Sequence, residues 1–266
     1  MKYLFNHIED VRLPIRASQR MYLLLDFDGT LTPIRSDPRK VKLSRHMSHV
    51  LHSLSIVPSC VVVIVSGRAL RDVRRLVGIN GIYYMGNHGL EISGKSVNYM
   101  NSAARNSQQG IRQISRSLRP LQTLGATIED KKSALAVHFR RAPLRNIPRI
   151  KSFVTTILRP YPQFKTSNGK KVVEILPRTK WNKGTAVKWL IHQLGDGLPI
   201  YIGDDLTDED AFQSLRGHVT ILVSREWKAS FAKYYLHDSK GVYKFLKLIT
   251  TWVSLDAKMR NSSLLN

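Results

Sequence analysis

The stretch "LLLDFDGTLTPI", residues 23–34, is an apolar strand that stops abruptly at two carboxylates, Asp26 and Asp28. Two apart at a strand end, their side chains leave one face while Phe27 turns toward the core. Gly29 and Thr30 supply a tight turn. A second carboxylate in the same half-buried place either raises a pKa or requires a cation. Around this stretch, strand-like runs at 21–25, 60–65 and 82–85 alternate with amphipathic segments near 44–54 and 69–77, the rhythm of an α/β doubly wound parallel sheet. In such sheets the ligand crevice lies at the carboxyl ends of the strands, where Asp26 and Asp28 fall.

The rhythm breaks in the polar stretch "SGKSVNYMNSAARNSQQG", residues 93–110, where core-strand signals stop. From about residue 98 to 177 the pattern becomes a helix, two strands, a helix and two strands, with alternation in "SALAVHFR" and "KKVVEIL" that implies an antiparallel sheet with one covered face. After Pro177 the α/β pattern returns with a helix at 182–194, a strand at 199–202, a short helix at 208–215 and a strand at 219–223. The predicted organisation is a Rossmann-like core over 1–98 and 178–266, interrupted by an α+β insert over 99–177. The tail "KMRNSSLLN" is expected to fray.

The chain has 266 residues, 42% of them hydrophobic, and a formal net charge of +23. The excess of Lys and Arg sets up a positive surface potential that favours anionic partners without choosing among them. A nucleic-acid or polyanion binder is one reading of that charge, but the basic residues are scattered and no aromatic-and-basic recognition motif accompanies them. No specific nucleic-acid partner is therefore expected. Cys60 is the single cysteine and reads as core filler in a reducing compartment. The N-terminal residues lack a signal-peptide core, and no run approaches the roughly 18 apolar residues of a membrane span. The expectation is a soluble cytoplasmic monomer.

Three other stretches carry chemistry. "VVVIVSGR" ends a strand in Ser66 and Gly67 before a helix, which is either an anion cradle or an ordinary Ser cap. "KWNKGTAVKWL" puts Lys183 in the first turn of a helix, where the macrodipole disfavours a cation unless an anion sits nearby. "YIGDDLTDEDAF" ends a strand in Asp204 and Asp205, with Thr207 expected as helix cap and Asp210 as its capping-box partner. Oxygen-only ligands at the crevice point to a hard ion, and Mg²⁺ fits better than zinc because no His or Cys set accompanies them.

Together "DFDGT", the Ser of "SGR", the Lys of "WNKG" and "GDDLTD" resemble the haloacid dehalogenase superfamily of phosphotransferases. That resemblance implies Asp26 as the nucleophile forming an aspartyl-phosphate, Asp28 as general acid and base, and Ser66 and Lys183 as phosphate ligands, with Gly67 and Arg68 beside them. It makes Asp204 a Mg²⁺ ligand with Asp26 and Asp28, and Asp205 and Asp208 supports of the metal site. The insert would be a cap of the C2 type.

The cap should set the substrate. In "SALAVHFR", Ala134, Ala136, His138 and Arg140 share one face, while Leu135, Val137 and Phe139 share the other. The bulky face should pack on helices and leave the small face as an open shelf. Glu129 and Lys131 are coaligned, as are Lys170 and Glu174 if their strand is regular. Such mixed acids and bases suit sugar hydroxyls, and equally suit cross-strand ion pairs. With "NHGLEI", "EDKKSALAVHFR" and "GKKVVEILP" added, the resemblance narrows to the trehalose-6-phosphate phosphatases, over about residues 23–212. It implies that Glu129, Lys131, Arg140, Lys170 and Glu174, joined by His138, contact a phosphorylated disaccharide, with Asn87 and His88 near the core–cap junction. Another sugar phosphate, such as sucrose phosphate or glucosylglycerol phosphate, is the same-chemistry alternative.

Overall fold

The computed structural model describes residues 1–35, 40–169 and 171–263, and the chain forms two compact units, Met1–Asn98 with Trp181–Asn266 and Tyr99–Lys180. The first unit runs β1 (Lys2–Tyr3), α1 (Glu9–Ala17), β2 (Met21–Asp26), α2 (Arg45–Ser55), β3 (Cys60–Val65), α3 (Leu70–Val77), β4 (Tyr83–Gly86) and β5 (Glu91–Ser93). The chain leaves it along β6 (Asn98–Met100).

The second unit holds α4 (Ser102–Ser117), β7 (Thr127–Asp130), β8 (Leu135–His138), α5 (Ile147–Leu158), β9 (Phe164–Gly169) and β10 (Val172–Pro177). On its return the chain adds α6 (Lys183–Leu194), β11 (Leu198–Gly203), α7 (Leu206–Ser214), β12 (Val219–Val223), β13 (Tyr234–Leu236) and α8 (Ser239–Ser263) to the first unit. No helix among the described residues is long and apolar enough to cross a membrane.

The large sheet has the order β1-β13-β12-β11-β2-β3-β4-β5-β6. Its pairs from β1 through β4 are parallel, and β5 turns back antiparallel on β4. Every residue of β2 is buried, as expected of a parallel strand covered on both faces. Leu23, Leu25, Ile64, Ile202 and Ile221 join Leu51, Val73 and Phe245 in the main core. From β2 the chain goes next to β3 on one side and much later to β11 on the other. The β2–β11 boundary is therefore the topological switch point, where this fold class places its ligands.

Four expectations need correction, the last of them on the sheet of the second unit. The "SGKSVNYMNSAARNSQQG" stretch includes strand residues, because β5 ends at Ser93 and β6 spans Asn98–Met100. The tail does not fray at once: α8 continues to Ser263, through the good helix formers of "SLDAKMR". The cap of α7 is Asp205, not Thr207, and its capping-box partner is Asp208, not Asp210. Both pairs sit three apart in the sequence, and the helix starts earlier than the Thr207 reading requires. β10 spans Val172–Pro177 and carries Glu174; Lys170, whose alignment with it was expected, lies outside the described residues.

The second unit is an antiparallel sheet in the order β7-β8-β10-β9. Leu135, Val137, Val173 and Ile175 point to one face and pack with Ile111 and Ile114 of α4 and Ile150 and Val154 of α5. On the opposite face Glu129, Ala136 and Glu174 stand in register across β7, β8 and β10. Alternation along "SALAVHFR" does select one apolar face, as expected. The small face is not an open shelf, because Ala134 and Ala136 are fully buried.

Candidate active site

Asp26, Ser66 and Asp204 end or follow three adjacent strands, β2, β3 and β11, and so meet at one edge of the sheet. Asp26 is buried, and its Oδ1 accepts from Lys183 Nζ at 2.8 Å. Lys183 is also buried and donates to Asp208 Oδ1 at 2.7 Å. Its unfavourable position at the start of α6 is thus answered by two carboxylates. Burial disfavours its charge, but Asp208 and Asp26 outweigh that effect and keep the amine protonated.

Asp208 is saturated. Its Oδ1 accepts from Lys183 and from Tyr201 Oη at 2.7 Å, and its Oδ2 accepts from the backbone N–H groups of Asp204 and Asp205 at 3.0 Å each. Four donors fill the places a carboxylate offers, so Asp208 positions its neighbours instead of presenting an open lone pair. Asp205 caps α7 through Leu206 N–H at 2.8 Å. Its carboxylate is engaged by the helix.

Oxygen atoms of Asp26, Asp204 and Asp208 lie within 4.8 Å of one another. The Asp204 carboxylate is packed against Gly29: a Cβ there would fall 2.1 Å from Asp204 Oδ2, and Gly29 has φ +93°. Only glycine suits that backbone and that approach. Burial pushes the Asp26 carboxyl well up; Lys183 opposes this, and Asp208 and Asp204 add to it. One ammonium is too little for three carboxylates, and a divalent ion beside Asp26 and Asp204 would restore the ionised form. The all-oxygen donor set fits Mg²⁺.

Asp28 is held apart from this cluster. Arg68 clasps it bidentately, Nε to Oδ2 at 2.6 Å and a terminal nitrogen to Oδ1 at 2.7 Å, and the guanidinium lies over the Phe27 ring, 5.6 Å from its centre. Ser66 is buried, and its Oγ accepts from Arg68 N–H at 3.1 Å. The β4–β5 turn braces this loop. Asn87 N–H donates to Arg68 O at 2.8 Å and His88 N–H to Ser66 O at 3.0 Å, with both residues at positive φ. The His88 ring crowds position 67, where a Cβ would be 2.6 Å from it and the ring would have to shift. Asn87 and His88 therefore shape the Ser66–Gly67–Arg68 turn.

Among the cap residues, Lys131 donates to Glu174 at 2.6 Å and His138 shares a 2.8 Å hydrogen bond with Glu129. Both the acids and their partners lie on the polar face of the second unit's sheet. Arg140 is exposed just beyond β8. The structure thus realises the ion-pair arrangement that the sequence left open.

Two site residues escaped sequence reasoning, and a third, Thr30, was read only as part of a turn. Tyr201 lies on β11 three residues before Asp204, and its place in an apolar run gave no hint of a carboxylate partner. Lys228 donates to the backbone O of Asp204 at 2.6 Å from a loop without periodicity. Thr30 is fully buried and its hydroxyl has no partner among the described residues, at the turn that follows Asp28.

The sequence profile of the trehalose-phosphatase family matches residues 24–240. Trehalose-phosphate phosphatase B of Arabidopsis thaliana is 37% identical over 256 residues, covering 88% of this chain and 67% of that protein. Probable trehalose-phosphate phosphatase 4 of Oryza sativa subsp. japonica is 35% identical over 247 residues, with the same coverages of 88% and 67%. The C-terminal domain of trehalose-6-phosphate phosphatase from C. albicans superposes with a TM-score of 0.78 at 26% identity, covering 94% of this chain and 98% of that one. A haloacid dehalogenase-like hydrolase from Bacteroides thetaiotaomicron, at 15% identity, TM-score 0.62 and coverages of 86% and 99%, shares the fold.

Proposed function

The chain belongs to the trehalose-phosphatase family, and on that premise we propose that it hydrolyses trehalose 6-phosphate to trehalose and phosphate through a phosphoenzyme formed on Asp26. The observation that carries this reading is the buried Asp26 carboxylate, ending a strand at the sheet's switch point and paired with Lys183. Carboxylate attack on a phosphate sets anion against anion, so charge must be neutralised before in-line approach.

Asp26 Oδ attacks phosphorus, the P–O bond to the sugar breaks, and Asp28, freed on one oxygen from the Arg68 fork and so able to carry a proton, gives that proton to the departing sugar oxygen. Asp28, now a carboxylate, takes a proton from water as that water attacks the phosphorus of the acyl-phosphate. This releases phosphate and regenerates Asp26. Lys183 stays protonated, aligns Asp26 and offsets phosphate charge. The Ser66 hydroxyl and the N–H groups of its turn hold the phosphoryl oxygens. A Mg²⁺ ion held by Asp26 and Asp204 would supply further charge neutralisation.

The sugar contacts are assigned to Glu129, Lys131, His138, Arg140, Lys170 and Glu174. What supports this is the polar face that carries Glu129, Lys131, His138 and Glu174, where carboxylates can accept from paired hydroxyls and the bases donate. A reducing, cytoplasmic setting suits the lone buried Cys60.

The test is phosphate release from a panel of trehalose 6-phosphate, sucrose phosphate and glucosylglycerol phosphate, with and without Mg²⁺. The expected outcome is the highest kcat/KM on trehalose 6-phosphate, lost in Asp26→Asn. Equal or better turnover of another sugar phosphate overturns the substrate, and activity persisting in Asp26→Asn overturns the mechanism.

A further inference from the structure

The positive charge of this chain is not evenly spread. Between Tyr99 and Lys180 seventeen Lys and Arg face only three Asp and Glu, a surplus of fourteen within the chain's +23. The three acids, Glu129, Asp130 and Glu174, all belong to β7 and β10, and two of them are paired on the polar sheet face. The helices on the other face contain none.

On α4 the buried residues Ala104, Ser107, Ile111 and Ile114 form one stripe against the sheet. Arg105, Arg112 and Arg116 are exposed and follow at spacings of seven and four, and Arg119 comes three later in the next turn. At roughly 100° per residue the three on α4 lie within an arc of about 40°, turned away from the buried stripe. The rise puts Arg105 and Arg116 about 17 Å apart along the axis. α5 packs beside α4 and adds the exposed Arg149, with Arg145 in the turn before it. None of these six has an acidic partner among the described residues.

We propose that this helical face binds the sugar-phosphate backbone of a nucleic-acid duplex without reading its sequence. The stripe is arginine, whose planar fork matches phosphate oxygens bidentately. It runs straight along a helix, so it can follow a row of phosphates whose charges recur every few ångströms. No aromatic side chain among the described residues stands fully exposed on it for base stacking: Phe153 of α5 packs against the core. That favours a duplex over a single strand. An anionic membrane is the poorer fit, because Leu144 is the only strongly exposed large apolar residue of this unit among those described, and an interfacial helix needs an apolar face to insert. The surface is on the side of the sheet away from Glu129, Lys131, His138 and Glu174. Duplex binding and phosphate-ester hydrolysis therefore draw on different residues.

The experiment is fluorescence anisotropy of a labelled, arbitrary-sequence duplex, as DNA and as RNA, with the full chain at several salt concentrations. The expected slope of log K against log salt is about −3 to −4, since each neutralised phosphate contributes about −0.9. Combined Arg105→Gln, Arg112→Gln and Arg116→Gln should weaken binding by about tenfold or more and flatten the slope by about 2.7. The triple Arg45→Gln, Lys244→Gln and Lys247→Gln, which removes equal charge from exposed sites of the first unit, should change affinity by less than about twofold. Both triples should keep trehalose 6-phosphate hydrolysis and melting temperature, which shows that they fold. Equal weakening by both triples, strong preference for one sequence, no duplex binding at about 100 mM salt, or stripe-dependent binding to anionic vesicles in its place would each overturn the proposal.

Discussion

Arg68 holds both carboxylate oxygens of Asp28, at 2.6 and 2.7 Å, and so fixes the orientation of the side chain assigned to move protons. A lysine cannot reproduce this fork. Arg68→Ala should lower kcat by about one to two orders of magnitude through lost positioning, and Arg68→Lys should fall between. Steady-state kinetics check this; an Arg68→Ala enzyme with wild-type kcat would remove Arg68 from the mechanism.

Lys183 bridges two buried carboxylates, Asp26 and Asp208. Lys183→Met should cost about 3–5 kcal/mol, because it leaves both acids buried without their counter-charge. Thermal unfolding reads the loss as a drop in Tm of roughly 10 °C. Adding Asp208→Asn to Lys183→Met should recover part of that stability while activity stays absent. If the double variant is as unstable as the single one, the loss is not electrostatic.

Tyr201 packs edge-on against Phe212, ring centres 5.6 Å apart, and spends its hydroxyl on Asp208. Tyr201→Phe keeps the ring and removes only that donor. A roughly threefold to tenfold fall in kcat with little change in KM is expected, since a hydrogen bond to a charged group carries about 1.5–3 kcal/mol and part of it is felt at Lys183. A rise in KM alone would point to substrate binding instead.

Mg²⁺ should raise the Tm of the wild-type protein by mass action and leave Asp204→Asn nearly unmoved. Differential scanning calorimetry with EDTA, then with Mg²⁺, separates the two. An equal shift in both proteins would place the ion elsewhere.

Cys60 opens β3, and burial pushes its thiol up to about 12. The neutral thiol is therefore the folded form, and its contribution to stability is complete below the unfolded value near 9, then declines as pH rises toward 12. A thiol reagent at about pH 8, below both values, should leave the native protein unlabelled and react on unfolding. Cys60→Ala should flatten this part of the alkaline loss in Tm.

The strand ends were readable because an apolar run that stops at carboxylates or at a Ser-Gly turn marks where a buried strand meets a polar crevice. "LLLDFDGT", "VVVIVSGR" and "YIGDD" each show it. The partners at those ends were less readable. Nothing in the spacing of Asp204 through Asp210 says which acid caps α7, since two pairs three apart compete locally and packing on Lys183 and Tyr201 decides. Likewise Lys131 and Glu174 are separated by 43 residues, and only the β7–β8 and β8–β10 registers together bring them near each other. The small strand β13 and the loop bearing Lys228 lack the long periodic signal that announces β2 or β3.

The place of β2 also shapes how the protein is made. β3 follows it within a few dozen residues, but β11, its neighbour on the other side, pairs Leu198 with Met21 and Ile202 with Leu25. During synthesis this largely apolar strand waits with one hydrogen-bonding edge open while the whole second unit is translated. Such an edge is a template for pairing with other chains. The segment that carries Asp26 thus keeps an open edge until β11 has been made, and depends on whatever shields a nascent chain until then.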